Sequence, residues 1–331
     1  MRQGRPRPRG KDSQKVKAVV YGCLAALAVL LPGCRENTPD EPANGVVAVS
    51  LVTDTNPHFL KIAEAIERDA RQYGYRVEVD SCEFNVDRQI EQVKRFISSG
   101  VKAMVLTPCD AKKIAPAVRA ANEAGIPVFT ADTACSAEGV HITAHVATDN
   151  RGGGKQIAHA IIETLGEKGG SVGLINHSPL EACEQRVKSF LEVLARHNES
   201  HTNAQIKVLF CEPCGANRKG GAAAAEKIIR RPVLPDVIFA VNDPSAAGAY
   251  SVLKKLPKEK CPKIIAFDGS KEGCRAVDEG HFLATAIQYP ERIGAEVMRA
   301  IVMNARKDAV PAEILIPTSL YQPSRKRIGE P

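Results

Sequence analysis

Short apolar segments alternate with amphipathic segments from Val46 onward, and this alternation constrains the fold of the 331-residue chain more than any other feature. Runs of about four to eight residues rich in Val, Ile, Leu and Ala are typical of buried strands in parallel sheets. The amphipathic segments between them predict the helices that cover such sheets. The sequence therefore predicts an α/β fold.

The predicted strands form two series of similar size, separated by a further strand at about 141–148. The first series comprises Val46–Val52, Arg76–Val79, Ala103–Thr107 and Val128–Ala131. The second comprises Ser171–Asn176, Gln205–Phe210, Val237–Ala240, Lys263–Phe267 and Ala284–Gln288. Two such series predict two doubly wound parallel-sheet lobes, and ligands of these sheets bind outside the carboxyl ends of the strands. A cleft between facing lobes is therefore expected.

Glycines separate the helices of the first series from the strands that follow. Gly74, Gly100 and Gly125 each stand between an amphipathic segment and the next apolar run. Glycine adopts the left-handed backbone conformation of a helix C-cap without steric cost. These three positions therefore predict helix ends.

Hydrogen-bonding side chains are concentrated at the carboxyl ends of the predicted strands. They are Asn56, Thr107, Asp132, Asn242, Asp268 and Gln288. A sugar hydroxyl both donates and accepts hydrogen bonds, so carboxylates and amides suit it. The alternative for any one of them is a local role, because Asn and Asp after strands often cap the next helix.

The N-terminal segment 1–33 has the parts of a secretory signal. A basic stretch precedes an apolar run from Ala18 to Leu31, which is short for a membrane span. The sequence Leu31-Pro32-Gly33-Cys34 resembles a bacterial lipobox, which predicts lipidation at Cys34. The alternative is a signal peptide that is cleaved in the ordinary way, with Cys34 present by coincidence. Residues 34–45, rich in Pro, Glu, Asp and Asn, predict a solvated tether.

The basic charge of the chain is confined largely to this leader. Segment 1–33 carries seven basic residues and one acidic residue, a net +6 out of the formal +7, which leaves +1 for the remainder. A nucleic-acid surface needs basic charge on the folded part. We therefore expect no nucleic-acid partner.

No cofactor or metal is expected. The helix start after Asp149 contains three glycines, but no nucleotide-binding motif is complete there. His141 and His145 lie four residues apart, and a metal site needs more converging ligands than these two.

Several segments together resemble ribose-type periplasmic binding proteins in order and spacing, from about Val46 to Ser319. They are Asn56-Pro57-His58-Phe59, Thr107-Pro108 with Asp110, Asp132, Thr148-Asp149-Asn150, Asn242-Asp243, Phe267-Asp268-Gly269 and Gln288. The resemblance implies a type I periplasmic-binding-protein fold with a three-segment hinge that closes around a ligand. It implies an N-terminal lobe of residues 46–148 and 289–317 and a C-terminal lobe of residues 149–288 and 318–331.

The same resemblance implies roles for individual residues. Asn56 and Phe59 correspond to ligand contacts of the first lobe, where Phe59 offers a ring to the apolar face of a sugar. Asp132 corresponds to an acceptor of hydroxyl protons. In the second lobe the ligand contacts correspond to Arg186, Asn242, Asp268 and Gln288. Arg186 supplies a planar, fork-shaped donor.

Some positions depart from the ribose-type pattern. Thr133 stands where the family has an arginine, and His58 stands where a second phenylalanine is common, so both are expected to contact the ligand. An aromatic residue expected near the sixth helix corresponds to Ala216, and the chain contains no Trp. Ribose itself is therefore not the expected ligand, and another pentose, a polyol or a non-sugar polar solute remains open.

Eight cysteines remain after Cys23 and Cys34 are set aside. An even number in an exported protein predicts disulfides, whose pairing the sequence does not define. Cys82, Cys109 and Cys135 all follow strands of the first series, so two of them are expected to meet near the rim of the cleft. The Cys211-Glu212-Pro213-Cys214 motif leaves redox activity or metal binding as an alternative.

These features together favour a monomeric, lipid-anchored receptor in the cell envelope that delivers a small polar ligand to an ABC-type permease in the membrane. A sensor of the same fold that signals to a partner is the alternative. A hydrolase using Asp132 and Asp268 lacks a supporting nucleophile or metal cluster, and a repressor would carry a helix-turn-helix in place of the export signal.

Overall fold

The computed structural model describes residue 1, residues 42–178 and residues 180–323. The predicted signal, the lipidation of Cys34 and the tether as far as residue 41 lie outside the described residues, as does the end of the chain from residue 324. Among the described residues no helix is long and apolar enough to cross a membrane.

Six strands form the first sheet, which is parallel throughout. Its order is β11-β5-β4-β3-β1-β2. The strands are β1 (Val46–Leu51), β2 (Arg76–Ser81), β3 (Ala103–Leu106), β4 (Val128–Ala131), β5 (Ala144–Thr148) and β11 (Glu313–Ile316).

A second sheet also has six strands, in the order β12-β10-β9-β8-β6-β7. The strands are β6 (Gly170–Asn176), β7 (Ile206–Pro213), β8 (Val237–Ala240), β9 (Lys263–Asp268), β10 (Ala284–Ile287) and β12 (Ser319–Tyr321). Only β12 is antiparallel to its neighbour within this sheet.

The helices divide between the two sheets. Those around the first sheet are α1 (Pro57–Gln72), α2 (Val86–Ser98), α3 (Ala115–Glu123) and α9 (Pro290–Ala305). Those around the second are α4 (Asn150–Leu165), α5 (Glu181–Ser200), α6 (Arg218–Ile228), α7 (Asp243–Leu253) and α8 (Lys271–Asp278). We call each sheet with its helices a lobe, the first and the second. The predicted α/β class with two parallel-sheet lobes is confirmed.

Apolar side chains cover both faces of the first sheet. Ile62 and Ile66 of α1 and Val297 of α9 are buried on one face, and Phe96 of α2 and Val118 of α3 are buried on the other. The second lobe has one continuous core around the fully buried Phe190, Phe239 and Phe267. Because parallel strands are buried on both faces, their sequences are continuous apolar runs.

Local sequence explains where the helices begin and end. Asn56, Asn85, Asp149, Asn217, Asn242 and Ser270 each accept a backbone N–H of the following helix through their side chains. Such caps satisfy donors that the first helical turn leaves free. Gly74, Gly100 and Gly125 have φ angles of 68°, 68° and 71°, as predicted for the glycines after α1, α2 and α3.

Between residues 42 and 323 the chain passes from one lobe to the other three times. These passages lie between β5 and α4, between β10 and α9, and between β11 and β12. Polar contacts tie the passages together: Gln156 of α4 donates through Nε2 to the backbone oxygen of Thr318 at 3.0 Å. The hydroxyls of Tyr289 and Ser319 lie 2.5 Å apart.

Candidate ligand-binding cleft

The carboxyl ends of the parallel strands bring the predicted polar residues to one edge of each sheet. Asp132 directly follows β4 in the first lobe, Asp268 is the last residue of β9 in the second, and Gln288 directly follows β10. Because ligands of such sheets bind at this edge, the position of these residues agrees with a site between the lobes.

His58 and Asp132 form an ion pair on the first lobe. Asn56 caps α1 by accepting the N–H of His58, which lies in the first turn of that helix. His58 Nε2 lies 2.9 Å from Asp132 Oδ1, with side-chain exposures of 18% and 23%. Burial alone would lower the pKa of His58, but the charge and hydrogen bond of Asp132 outweigh it and raise the pKa. Burial opposes ionisation of Asp132 too, yet His58 and Arg186 lower its pKa.

Arg186 is the buried cation of the second lobe. It lies on α5 and is only 5% exposed. Its Nε donates to Asn150 Oδ1 and its Nη1 to the backbone oxygen of Val241, both at 2.8 Å. Its guanidinium lies 3.7 Å from the centre of the Phe267 ring. Arg186 Nη1 also lies 3.6 Å from Asp268 Oδ1. These contacts hold the guanidinium group of Arg186 in one position without a ligand.

Asp268 connects Arg186 with the passage between the lobes. Gln288 donates through Nε2 to Asp268 Oδ1, and its Oε1 accepts the hydroxyl of Thr148, both at 2.8 Å. Burial raises the pKa of Asp268 against the opposing attraction of Arg186 and His58. At the start of α7, burial and the charge of Asp268 raise the pKa of Asp243 to about 7.

Both carboxylates of the cleft have backbone conformations that side-chain-bearing residues rarely adopt. The φ angles are 64° at Asp132 and 118° at Asp268. Such conformations cost about 1 to 3 kcal/mol and persist where the surroundings enforce them, commonly at functional sites. The backbone is therefore strained at Asp132 in the first lobe and at Asp268 in the second, the residues that supply one carboxylate from each lobe.

Charged side chains of the two lobes lie near one another. The pKa of His58 responds to Asp268 and Arg186 of the second lobe, and that of Asp132 responds to Arg186. Charges influence one another in this way only over short distances. His58 and Asp132 therefore lie close to Arg186 and to Asp268, whose carboxylate accepts the hydrogen bond of Gln288.

Other predicted contacts have structural partners. Thr107 is fully buried, and its Oγ1 accepts the N–H of Val52 at 2.6 Å. Asn242 accepts the N–H of Ser245 and donates to the backbone oxygen of Ala216. Asn56 is exposed and caps α1. The ligand contacts expected of these three residues stay predictions.

Phe59 and Thr133 lie beside the ion pair. The Phe59 ring is half-buried against the first-lobe core and meets the His58 ring edge-on, with centroids 5.3 Å apart. Thr133 is half-buried, and its N–H donates to the backbone oxygen of Ala131. Their expected ligand contacts also stay predictions.

Sequence reasoning missed three residues that hold the site together. Asn150 and Phe267 position Arg186, and Thr148 positions Gln288. The segments that contain them form part of the family resemblance, but spacing does not show which strand-end residues support others. Within the described part of the chain, no cluster of three or more His, Cys, Asp or Glu residues could hold a metal ion.

Two facing parallel-sheet lobes that share a polar cleft define the class of two-lobed ligand receptors. The family follows from comparison with known proteins: residues 47–309 match the model of the periplasmic binding protein domain, and the chain belongs to this family. Members of this family bind and transport ligands, so the chain is a binding protein and not an enzyme.

Curated relatives include two ribose import binding proteins named RbsB. The one from Escherichia coli is 29% identical over 256 residues, covering 77% of this chain and 82% of the relative. The one from Bacillus subtilis is 29% identical over 288 residues, covering 84% and 90%.

Solved structures show the same fold. An ABC transporter periplasmic solute binding protein from Actinobacillus succinogenes with bound D-allose aligns with a TM-score of 0.75 at 22% identity, covering 84% of this chain and 97% of that one. An ABC transporter solute binding protein from Mycobacterium smegmatis with bound glycerol aligns with a TM-score of 0.73 at 25% identity, covering 85% and 94%.

Proposed function

We propose that this protein is an extracytoplasmic receptor that closes around a sugar or a similar small polyol and delivers it to an ABC-type importer. The observation that carries the proposal is the cleft itself. The His58–Asp132 pair of the first lobe lies close enough to Arg186 and Asp268 of the second for their charges to interact, and Gln288 donates to Asp268.

The hydrogen-bonding groups of the cleft match the chemistry of hydroxyl groups. Asp132 uses Oδ1 for His58, and its Oδ2 has no hydrogen-bond partner among the described residues. A carboxylate oxygen accepts a hydroxyl proton, while a fixed guanidinium donates to a hydroxyl oxygen. Donors and acceptors on opposite lobes thus bind a polyol best when the lobes close, which couples recognition to closure.

The relatives support a polyol and leave its identity to experiment. The names of the relatives cite ribose, D-allose and glycerol as their own ligands. This chain has Thr133 in place of the arginine of the ribose-type pattern and His58 in place of a phenylalanine. We therefore propose a ligand that depends more on hydrogen bonds to His58 and Asp132 than on aromatic stacking.

The proposal also covers the location of the protein, its lipid anchor and its oligomeric state. Membership of the periplasmic binding protein family supports a location outside the cytoplasmic membrane. We further propose that Cys34 carries the lipid that anchors it, and that it acts as a monomer because one chain contains both halves of the cleft. The three passages between the lobes would act as the hinge between the lobe limits predicted from the sequence.

Thermal-shift measurements test the proposal. A ligand that binds the folded state alone raises the melting temperature, by an amount set by its concentration and affinity. We expect a pentose, hexose or cyclic polyol from a systematic panel to stabilise the protein. The shift should vanish in Asp132→Ala and in Asp268→Ala and remain in Asp308→Ala, which removes an exposed carboxylate outside the cleft.

Two outcomes would contradict this function. One is a panel in which no sugar or polyol raises the melting temperature of the wild-type protein. The other is a stabilising sugar whose effect survives in both folded cleft variants, since that sugar would bind elsewhere.

A further inference from the structure

We propose that Cys82 and Cys109 form a disulfide that joins the ends of β2 and β3 at the cleft-facing edge of the first lobe. The two Sγ atoms lie 2.6 Å apart. A disulfide bond is about 2.05 Å long, so a shift of roughly half an ångström completes it. This inference concerns covalent structure and does not depend on which ligand the cleft binds.

The surroundings hold both cysteines in place. Strand β1 lies between β2 and β3 in the sheet. Cys82 follows β2 and Cys109 follows β3, so both cysteines lie at the carboxyl end of the sheet. The N–H of Cys82 donates to the backbone oxygen of Leu51 at 2.9 Å. The N–H of Cys109 donates at 2.9 Å to Oε1 of the fully buried Gln89. The bond therefore requires little movement of the backbone, and it would cross the end of β1.

Two glutamines of α2 hold these segments against β1. Gln89 Nε2 donates to Ser50 Oγ at 3.2 Å and to the backbone oxygen of Thr107 at 3.1 Å, while its Oε1 accepts the N–H of Cys109. Gln92 Oε1 accepts the hydroxyl of Ser50 at 2.7 Å, and its Nε2 donates to the backbone oxygen of Ser81, the residue before Cys82, at 2.8 Å. Buried hydrogen bonds therefore fix both cysteine-bearing segments relative to β1.

The chemistry of bond formation requires an oxidant, which we identify as the disulfide of a thiol-oxidising partner. Cys82 is fully buried and Cys109 is half-buried, so Cys109 is the accessible thiol. Its thiolate attacks the partner disulfide, forming a mixed disulfide and releasing one partner thiol. The Cys82 thiolate then attacks Cys109 Sγ and releases the second partner thiol. Two protein thiols lose two electrons and two protons, and the partner disulfide gains them.

Peptide mapping of the full chain tests the pairing. The reduced protein is exposed to oxidised glutathione, quenched with acid, alkylated and digested with trypsin. Cleavage leaves Cys82 in peptide 77–88 and Cys109 in peptide 103–112, each with no other cysteine. We expect one linked species whose mass is the sum of the masses of the two peptides less two hydrogens. A reductant should separate this species into the two peptides. The proposal would be overturned if both peptides were recovered alkylated or modified by glutathione. It would also be overturned if they were linked to other cysteines.

Thermal unfolding gives an independent test. A disulfide restricts the unfolded chain, so a reductant should lower the melting temperature of the wild-type protein by several degrees. Cys82→Ser, Cys109→Ser and the double variant should all lose this response to reductant, and the double variant should be no less stable than the weaker single one. Cys135→Ser, the third cysteine after a first-lobe strand, should retain the response. A double variant that still responds as the wild type does would refute the bond.

Discussion

The ion pair of His58 and Asp132 leads to a prediction about pH. The raised pKa of His58 means that its contribution to stability is complete below about pH 6.5 and is lost as the pH rises through its folded value. The lowered pKa of Asp132 means that its contribution is complete above about pH 4 and is lost as the pH falls through its folded value. The pair therefore stabilises the fold most between these limits.

Replacement of His58 should show this window. In ligand-free protein we expect His58→Phe to cost about 1 to 3 kcal/mol at pH 6 and clearly less at pH 9, measured by urea unfolding at each pH. Lys61→Gln, which breaks the exposed ion pair with Glu291, should cost well under about 1 kcal/mol at both. An equal cost of His58→Phe at pH 6 and pH 9 would argue against a charged pair.

Arg186 gives a second prediction at this scale. Lysine keeps the charge but lacks the planar fork that serves Asn150, Val241 and the Phe267 ring together. We expect Arg186→Lys to lower stability by about 1 to 3 kcal/mol and to weaken binding of the stabilising sugar at least tenfold, measured by calorimetric titration.

A matched arginine provides the control. Arg151 donates through Nη2 to both oxygens of Glu192 at 3.0 Å, but it is 46% exposed. Arg151→Lys should change stability by less than about 1 kcal/mol and leave affinity unaltered. Equal effects of the two replacements would mean that Arg186 has no special role in the cleft.

Single residues also show which parts of the site can be inferred from a sequence. Asp132 and Asp268 were predicted because each directly follows an apolar run that predicts a strand, and these strands are where expected. The hydrogen bond between Arg186 and Asn150 joins residues 36 positions apart on two helices of one lobe. Such a pairing depends on how α4 packs on α5, which residue patterns do not reveal.

Among the elements, the strands with continuous apolar runs were the easiest to predict. All ten predicted strands are present and begin within three residues of the expected positions. Strands β11 and β12 were not predicted. They have four and three residues, lie at sheet edges and are only partly buried, so they lack the apolar run that marks a central strand.

Close packing of α6 against α7 allows a prediction at the scale of elements. A Cβ on Gly221 of α6 would collide with the backbone oxygen of Ser245 of α7. Alanine is favoured over glycine in a helix by about 1 kcal/mol, but overpacking costs about 1 to 3 kcal/mol. We therefore expect Gly221→Ala to destabilise the protein in denaturant unfolding.

The neighbouring position supplies the opposite control. Ala223 lies on the exposed side of the same helix, so Ala223→Gly should cost only the helix preference of about 1 kcal/mol. A Gly221→Ala protein more stable than the wild type would show that α6 and α7 pack less closely than described.

At the scale of the whole molecule, the two-lobed class was predictable because the strand series restarts after residue 148. The three passages between the lobes came from the family resemblance, since β11 and β12 gave no signal of their own. Contacts such as that of Gln156 with Thr318 join these passages to one another. All three passages leave from the carboxyl end of a strand, so they connect the lobes at the edge that carries the candidate site.

The central claim is that one ligand is held by both lobes at once. A crystal structure of the complex with the sugar that raises the melting temperature most tests it directly. The account predicts density for one sugar between the lobes, within hydrogen-bond distance of Asp132 on one side and of Asp268 or Arg186 on the other. Density that contacts a single lobe, or that lies away from the carboxyl ends of the strands, would contradict it.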